Sequence, residues 1–175
     1  SVTSIGERAF QSCTSLTSIT IGNGVTSIGD SAFRGCTSLT SMTLPDSVTS
    51  IGNDAFDGCS NLTSVTVGHL IQANTLTDIL KGLNVSQITS ITIFNGVTSI
   101  GDGAFRDCTG LPSITLPDSV TSIGNDAFRS CTSLTSITLP DSVTSIGSNA
   151  FNFCSGLTSI TIGNSVTSIG ERAFY

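Results

Sequence analysis

The stretch Val97-Thr98-Ser99-Ile100-Gly101-Asp102-Gly103-Ala104-Phe105-Arg106-Asp107-Cys108-Thr109-Gly110-Leu111-Pro112-Ser113-Ile114-Thr115-Leu116-Pro117 decides the fold. From Leu111 to Leu116 its apolar residues fall as Leu-x-x-Ile-x-Leu, the alternation of a short strand with Ile114 and Leu116 turned inward. Around Ala104-Phe105 the apolar spacing suits a helical turn or a bend. Gly101 and the Pro117-Asp118 step supply turns, the proline by presetting φ at a turn's second position. So short a unit holds too few apolar side chains to fold alone.

Outward from this stretch the unit recurs. Cysteines stand at 13, 36, 59, 108, 131 and 154, separated by 23 residues except for one interval of 49. Ala-Phe pairs end at Phe10, Phe33, Phe56, Phe105, Phe128, Phe151 and Phe174, in the same rhythm. The interval of 49 holds one ordinary turn and one of 26 residues. A fixed period of this length marks stacked repeats, each covering the open faces of its neighbours. Every Val, Ile, Leu or Phe buried in this way contributes about 1.5–3 kcal/mol. The pattern predicts one repeat solenoid over residues 1–175, a parallel β solenoid with short helical or irregular turns.

The string Ala127-Phe128-x-x-Cys131-x-x-Leu134-x-x-Ile137-x-Leu139-Pro140-x-x-Val143-x-x-Ile146-Gly147 resembles the BspA-like leucine-rich repeat. The resemblance covers nearly the whole chain and is specific to that repeat type. It implies a leucine-rich-repeat-type solenoid on bacterial or protozoan surface proteins, extracellular or at the cell surface. It also implies adhesion to host or neighbouring cells. The family's repeats carry no catalytic residues to transfer, so the resemblance implies a protein that is not an enzyme.

Residues 68–87 lack the Ala-Phe and Cys signatures. Leu76, Ile79, Leu80 and Leu83 lie there at i, i+3, i+4 and i+7, a helical stripe. Thr75 and Asp78 have capping-box spacing, with Asp in place of the usual Glu or Gln. A helix of about two turns is predicted in place of the ordinary bend. Its leucines either fill the core or mark a docking point on an otherwise uniform rod.

Only 10% of residues are charged, against about 25% in an average soluble protein, and the net charge is −6. Hydroxyls replace charges, with 29 Ser and 26 Thr. This balance predicts no nucleic-acid partner and no attraction to anionic lipid. No apolar run reaches the ~20 residues of a membrane span. His69 is the only histidine and has no ligand or nucleophile motif around it, so no metal and no cofactor are expected. Asp46, Asp118 and Asp141 recur in Pro-Asp-Ser turns, where Asp is expected to cap its own backbone. Asn61-Leu62-Thr63 and Asn84-Val85-Ser86 are glycosylation sequons, so Asn61 and Asn84 are candidates. The six cysteines share one repeat phase, which predicts an inward column of free thiols rather than disulfides.

Outward positions of the predicted strand carry the functional signal. They are Ser18 and Thr20, Ser41 and Thr43, Ser64 and Thr66, Ser90 and Thr92, Ser113 and Thr115, Ser136 and Thr138, and Ser159 and Thr161. Stacked in parallel, these pairs form one serine column and one threonine column. The face holds no aromatic or arginine anchor of the kind that dominates protein–protein binding. A periodic hydroxyl surface suits a carbohydrate, an ordered lattice such as ice, or a spacer that binds nothing, and a host or cell-surface protein is a further partner class.

Residues 1–10 recur unchanged at 165–174, an offset of 164. A super-repeat of seven turns in a longer array is one origin of the match. It carries an expectation of end-to-end self-association and of a structural fibre or stalk.

Overall fold

The computed structural model describes all 175 residues, Ser1 to Tyr175. In chain order the strands are β1 Ser4–Ile5, β2 Ser27–Ile28, β3 Ser41–Thr43, β4 Ser50–Ile51, β5 Ser64–Val67, β6 Ser90–Ile93, β7 Ser99–Ile100, β8 Ser122–Ile123, β9 Ser136–Thr138, β10 Ser145–Ile146, β11 Ser159–Thr161 and β12 Ser168–Ile169. All pairings are parallel and all are in repeat register: Ser4 opposes Ser27, Ser41 opposes Ser64, and Ser136 opposes Ser159. The fold is a parallel β solenoid of about seven turns.

Most turns carry two short strands rather than the single one the sequence reading gives, although Ser18–Thr20 and Ser113–Thr115 form no strand. The expected Ser-x-Thr strands form the runs β3-β5-β6 and β9-β11. The second ladder, β1-β2-β4 and β7-β8-β10-β12, is built from Val-Thr-Ser-Ile. In that motif Val97 and Ile100 both point inward while Thr98 and Ser99 stay outside. Three-residue spacing of the buried pair hides the strand from any test for two-residue alternation.

The bend at Ala-Phe is a pair of tight turns. Ser31, Asp54, Asp126 and Asn149 precede Ala-Phe in the left-handed region, at φ 54, 53, 53 and 55. Gly35, Gly58, Asp107 and Ser130 follow it in the same region, at φ 71, 72, 61 and 62. Between the two turns the backbone meets the next repeat again, with the Phe128 N–H 2.7 Å from the Ala150 carbonyl and the Phe105 N–H 2.7 Å from that of Ala127. Each turn is thus stitched to its neighbour at three places. The Ile-Gly corner is tight enough that a Cβ on Gly124 would come 2.7 Å from the Asp102 nitrogen. A larger residue there would push the repeats apart.

The interior is one continuous cluster of 48 buried residues. Its spine is a stack of phenyl rings, Phe10–Phe33–Phe56 and Phe105–Phe128–Phe151–Phe174, with centroids 5.1–5.6 Å apart. Beside it runs the cysteine column, all six thiols free and five of them buried. Cys36, Cys59, Cys131 and Cys154 each donate an S–H to the carbonyl of a Phe in the preceding turn, at 3.0–3.1 Å. A small side chain with a weak donor is what this position uses.

The irregular turn is where the sequence reading needs correcting. The α-helix α1 spans only Leu76–Ile79, one turn instead of two, flanked by 3-10 segments at His69–Gln72 and Val85–Gln87. Leu80 leaves helical geometry and Gly82 follows at φ 89. The capping box forms with Asp78 in the Glu position: the Thr75 hydroxyl accepts from the Asp78 N–H, and Asp78 accepts from the Thr75 N–H. Leu76, Ile79, Leu80 and Leu83 are all buried, filling the core where this turn lacks Phe and Cys. Side-chain amides replace the missing ladder bonds. Gln72 Oε1 accepts from the Thr98 N–H at 3.1 Å, and Gln87 Nε2 donates to the Cys59 and Leu62 carbonyls at 2.9 Å.

Candidate functional site

The Ser-x-Thr face is positioned by the alternation within each strand. In β9 Ile137 is buried between exposed Ser136 and Thr138, and in β3 Met42 is buried between exposed Ser41 and Thr43. Of the fourteen face residues, Ser64 and Thr66 are partly covered and the other twelve are exposed. No face hydroxyl makes a side-chain hydrogen bond within the protein, so all are free to bond outward.

The threonines flanking the face behave differently. Thr40, Thr135 and Thr158, one residue before the face serine, donate their hydroxyls to the preceding turn at Thr17, Pro112 and Thr135, at 3.1–3.4 Å. In the second ladder Thr26, Thr49, Thr121, Thr144 and Thr167 do the same at 3.0–3.2 Å. These hydroxyls clip turns together. Those of the Ser-x-Thr columns do not, and chemistry separates the two sets where composition cannot.

The face is not continuous. Pairing stops between β6 and the next turn, where Ser113 holds only an isolated bridge to Ser136. The stretch that reads most clearly as a strand therefore forms only this bridge. Its cause is residue 112. Thr40, Thr63, Thr89, Thr135 and Thr158 each donate the backbone N–H at this phase to the turn before, and Pro112 has none to give.

The remaining candidates are placed as follows. Asn61 is exposed and its amide donates to the Thr37 carbonyl at 2.8 Å. Asn84 is exposed and its Oδ1 accepts from the Ser86 N–H at 3.1 Å and the Ser86 hydroxyl at 2.7 Å. The Pro-Asp-Ser aspartates do not cap their own backbone. Asp46 and Asp141 accept instead from the His69 and Asn164 N–H groups of the following turn, at 2.9 and 3.3 Å. His69 Nδ1 also lies 3.0 Å from Asp46 Oδ1.

Burial raises the thiol of Cys59 to about 11 and that of Cys108 to about 12, by desolvating the thiolate. Burial also raises Cys36, and a hydrogen bond with Cys154 together with burial raises Cys131. Protonated buried thiols are poor nucleophiles. No group of three or more His, Cys, Asp and Glu is placed to hold a metal ion, and no helix is long and apolar enough to cross a membrane.

Sequence reasoning missed two features around the face, the second threonine ladder and Phe94. Phe94 occupies the corner phase held by Gly22, Pro45, Gly68, Pro117, Pro140 and Gly163 in the other turns. That substitution was visible in the sequence as the one aromatic at a Gly/Pro corner.

A family model described as a BspA type leucine rich repeat region matches residues 1–79 and 83–175 in six copies. The leucine rich repeat protein of T. pallidum is 30% identical with a TM-score of 0.59, over 83% of this chain and 67% of that one. A leucine-rich repeat protein from Bacteroides ovatus is 28% identical with a TM-score of 0.55, over 99% of this chain and 56% of that one. A leucine rich cell surface protein from Faecalibacterium prausnitzii is 25% identical with a TM-score of 0.50, over 98% and 59%. The chain thus spans about two thirds of the first of these proteins and little more than half of the other two. Among curated proteins none matches.

Proposed function

Because the chain belongs to the BspA-type leucine-rich repeat family, we propose that its 175 residues act as one non-catalytic solenoid domain displayed outside the cell, where its Ser-x-Thr face adheres to the surface of another cell. The observation that carries this reading is the split between the two sets of threonines. Hydroxyls that serve the stack are bonded to it, whereas two full columns of the face are left unbonded and exposed. A spacer has no need of that division. The similarity to a Faecalibacterium cell surface protein supports the location.

A lattice such as ice is the weaker reading. Lattice matching needs a flat array with an unbroken repeat, and this one is interrupted between Thr92 and Ser113. The test is binding of the purified, fluorescently labelled chain to intact bacterial and epithelial cells. Saturable binding to either supports adhesion. Absence of binding to both, at concentrations up to the millimolar range of weak surface contacts, leaves the chain as a structural rod.

A further inference from the structure

We infer that the Phe94-Asn95 corner is a binding site for a neutral oligosaccharide, an inference that rests on the surface-binding reading above and locates its centre. Phe94 is half-buried and lines a groove of about 580 Å³ together with Thr20, Asn23, Thr43, Asp46 and Asn95. On the other side of Asn95 a second groove of about 310 Å³ runs past Ser90, Thr92, Ser113 and Thr115. Both volumes fall in the range of small-molecule sites, ~300–1,000 Å³. Together they flank one corner of the irregular turn, as successive sugar units would require.

Two departures from the repeat open these grooves. Gly68 makes room for Phe94, since a Cβ there would lie 3.0 Å from its Cδ2 and collide with the Asp46 carboxylate. The phenyl ring thus crosses the neighbouring turn and reaches the groove formed by the first two. Pro112 opens the second groove by withholding the N–H that would zip the turn holding Ser113 onto β6. No other turn carries an aromatic residue at the phase of Phe94 or a proline at the phase of Pro112.

The chemistry of the lining selects the ligand. A pyranose presents a flat face of C–H groups and a rim of hydroxyls. The negative face of an aromatic ring attracts the weakly positive C–H hydrogens, and Phe94 supplies the only such ring on this side of the solenoid away from its ends. The hydroxyls of Thr20 and Thr43 and the amides of Asn23 and Asn95 make no side-chain bonds inside the protein. They are free to serve the rim as donors and acceptors. Asp46 spends Oδ1 on His69, while Oδ2 is free to accept from a sugar hydroxyl. Neither groove is lined by Lys or Arg, and the chain carries a net charge of −6, so uronic and sialic acids are disfavoured.

Calorimetric or NMR titration with neutral tetrasaccharides of glucose, mannose, galactose and N-acetylglucosamine tests the site, with polygalacturonate as the anionic control. At least one neutral tetrasaccharide should bind with Kd of about 1 mM or tighter, and polygalacturonate should not. Phe94→Leu keeps an apolar cover over Gly68 but removes the ring, and should weaken binding at least tenfold. Asn95→Ala, at an exposed position, should weaken it in a protein whose unfolding is unchanged. If no neutral tetrasaccharide binds, or Phe94→Leu binds as the parent does, the inference is overturned even where cell binding succeeds. Cell binding that survives enzymatic removal of surface glycans identifies a protein partner and overturns it as well.

Discussion

Replacing Phe128 by Ala measures whether the stacked rings hold the solenoid together. Phe128 is 0% exposed and sits between Phe105 and Phe151, with centroids 5.2 and 5.1 Å away. Truncation removes a full aromatic transfer term, leaves a cavity bounded by two rings, and forfeits two stacked contacts of about 0.5–1.5 kcal/mol each. The loss should total about 3–5 kcal/mol. Phe174, at the end of the same column, is 42% exposed and has one ring neighbour. Phe174→Ala should therefore cost about 1–2 kcal/mol, scaling with the apolar area it buries. Urea titration of the parent and the two variants, compared at equal m-value, reads both numbers. Equal losses at the two sites, or a loss below 1 kcal/mol at Phe128, would refute the load assigned to the ring column.

The remaining expectations concern thiols, pH and turn strain. Under native conditions a thiol reagent should label mainly Cys13, the one cysteine not fully buried, and all six after denaturation without reductant; three disulfides would contradict the column. Stability should fall as pH rises from the ordinary thiol value of 9.0 toward the 11 to 12 of Cys59 and Cys108, because unfolded thiols ionise there while folded ones keep their protons. The slope should be about −1.4 kcal/mol per pH unit for each such thiol, and Cys108→Ala should flatten it. Ser130 holds φ 62 at a phase where Gly35 and Gly58 stand. Ser130→Gly should stabilise by about 0.5–1 kcal/mol, left-handed strain relieved outweighing the entropy of glycine; a destabilised variant would show that the turn is unstrained.

How much of this was legible depended on which physical term each residue served. Phe128, Cys131, Leu134 and Ile137 announce themselves because burial is periodic and the period is written in the chain. The helical stripe Leu76–Leu83 is legible for the same reason, but its length is not, since Gly82 and Leu80 end the helix through backbone geometry. Val97 and Ile100 escaped notice as a strand because both face inward, three apart. Pro112 was in plain view, yet its effect depends on which N–H faces the previous turn, and that is settled only by register. Phe94 likewise needed the neighbours: its significance lies in Gly68 and Asp46, 26 and 48 residues earlier in the chain. The outward threonines Thr138 and Thr121 look alike in composition, and only hydrogen bonding sorts Thr121, which clips its turn to the one before, from Thr138 on the free face.

The most direct test of the surface-binding account is the variant carrying both Thr115→Lys and Thr138→Lys. Both side chains are exposed and unbonded, so the fold should persist, with an unfolding midpoint close to the parent's. Two lysines set into adjacent turns of the free hydroxyl face should abolish saturable binding of the labelled chain to its target cells. Full retention of binding by a folded double variant would contradict the account, placing the contact on another surface of the solenoid.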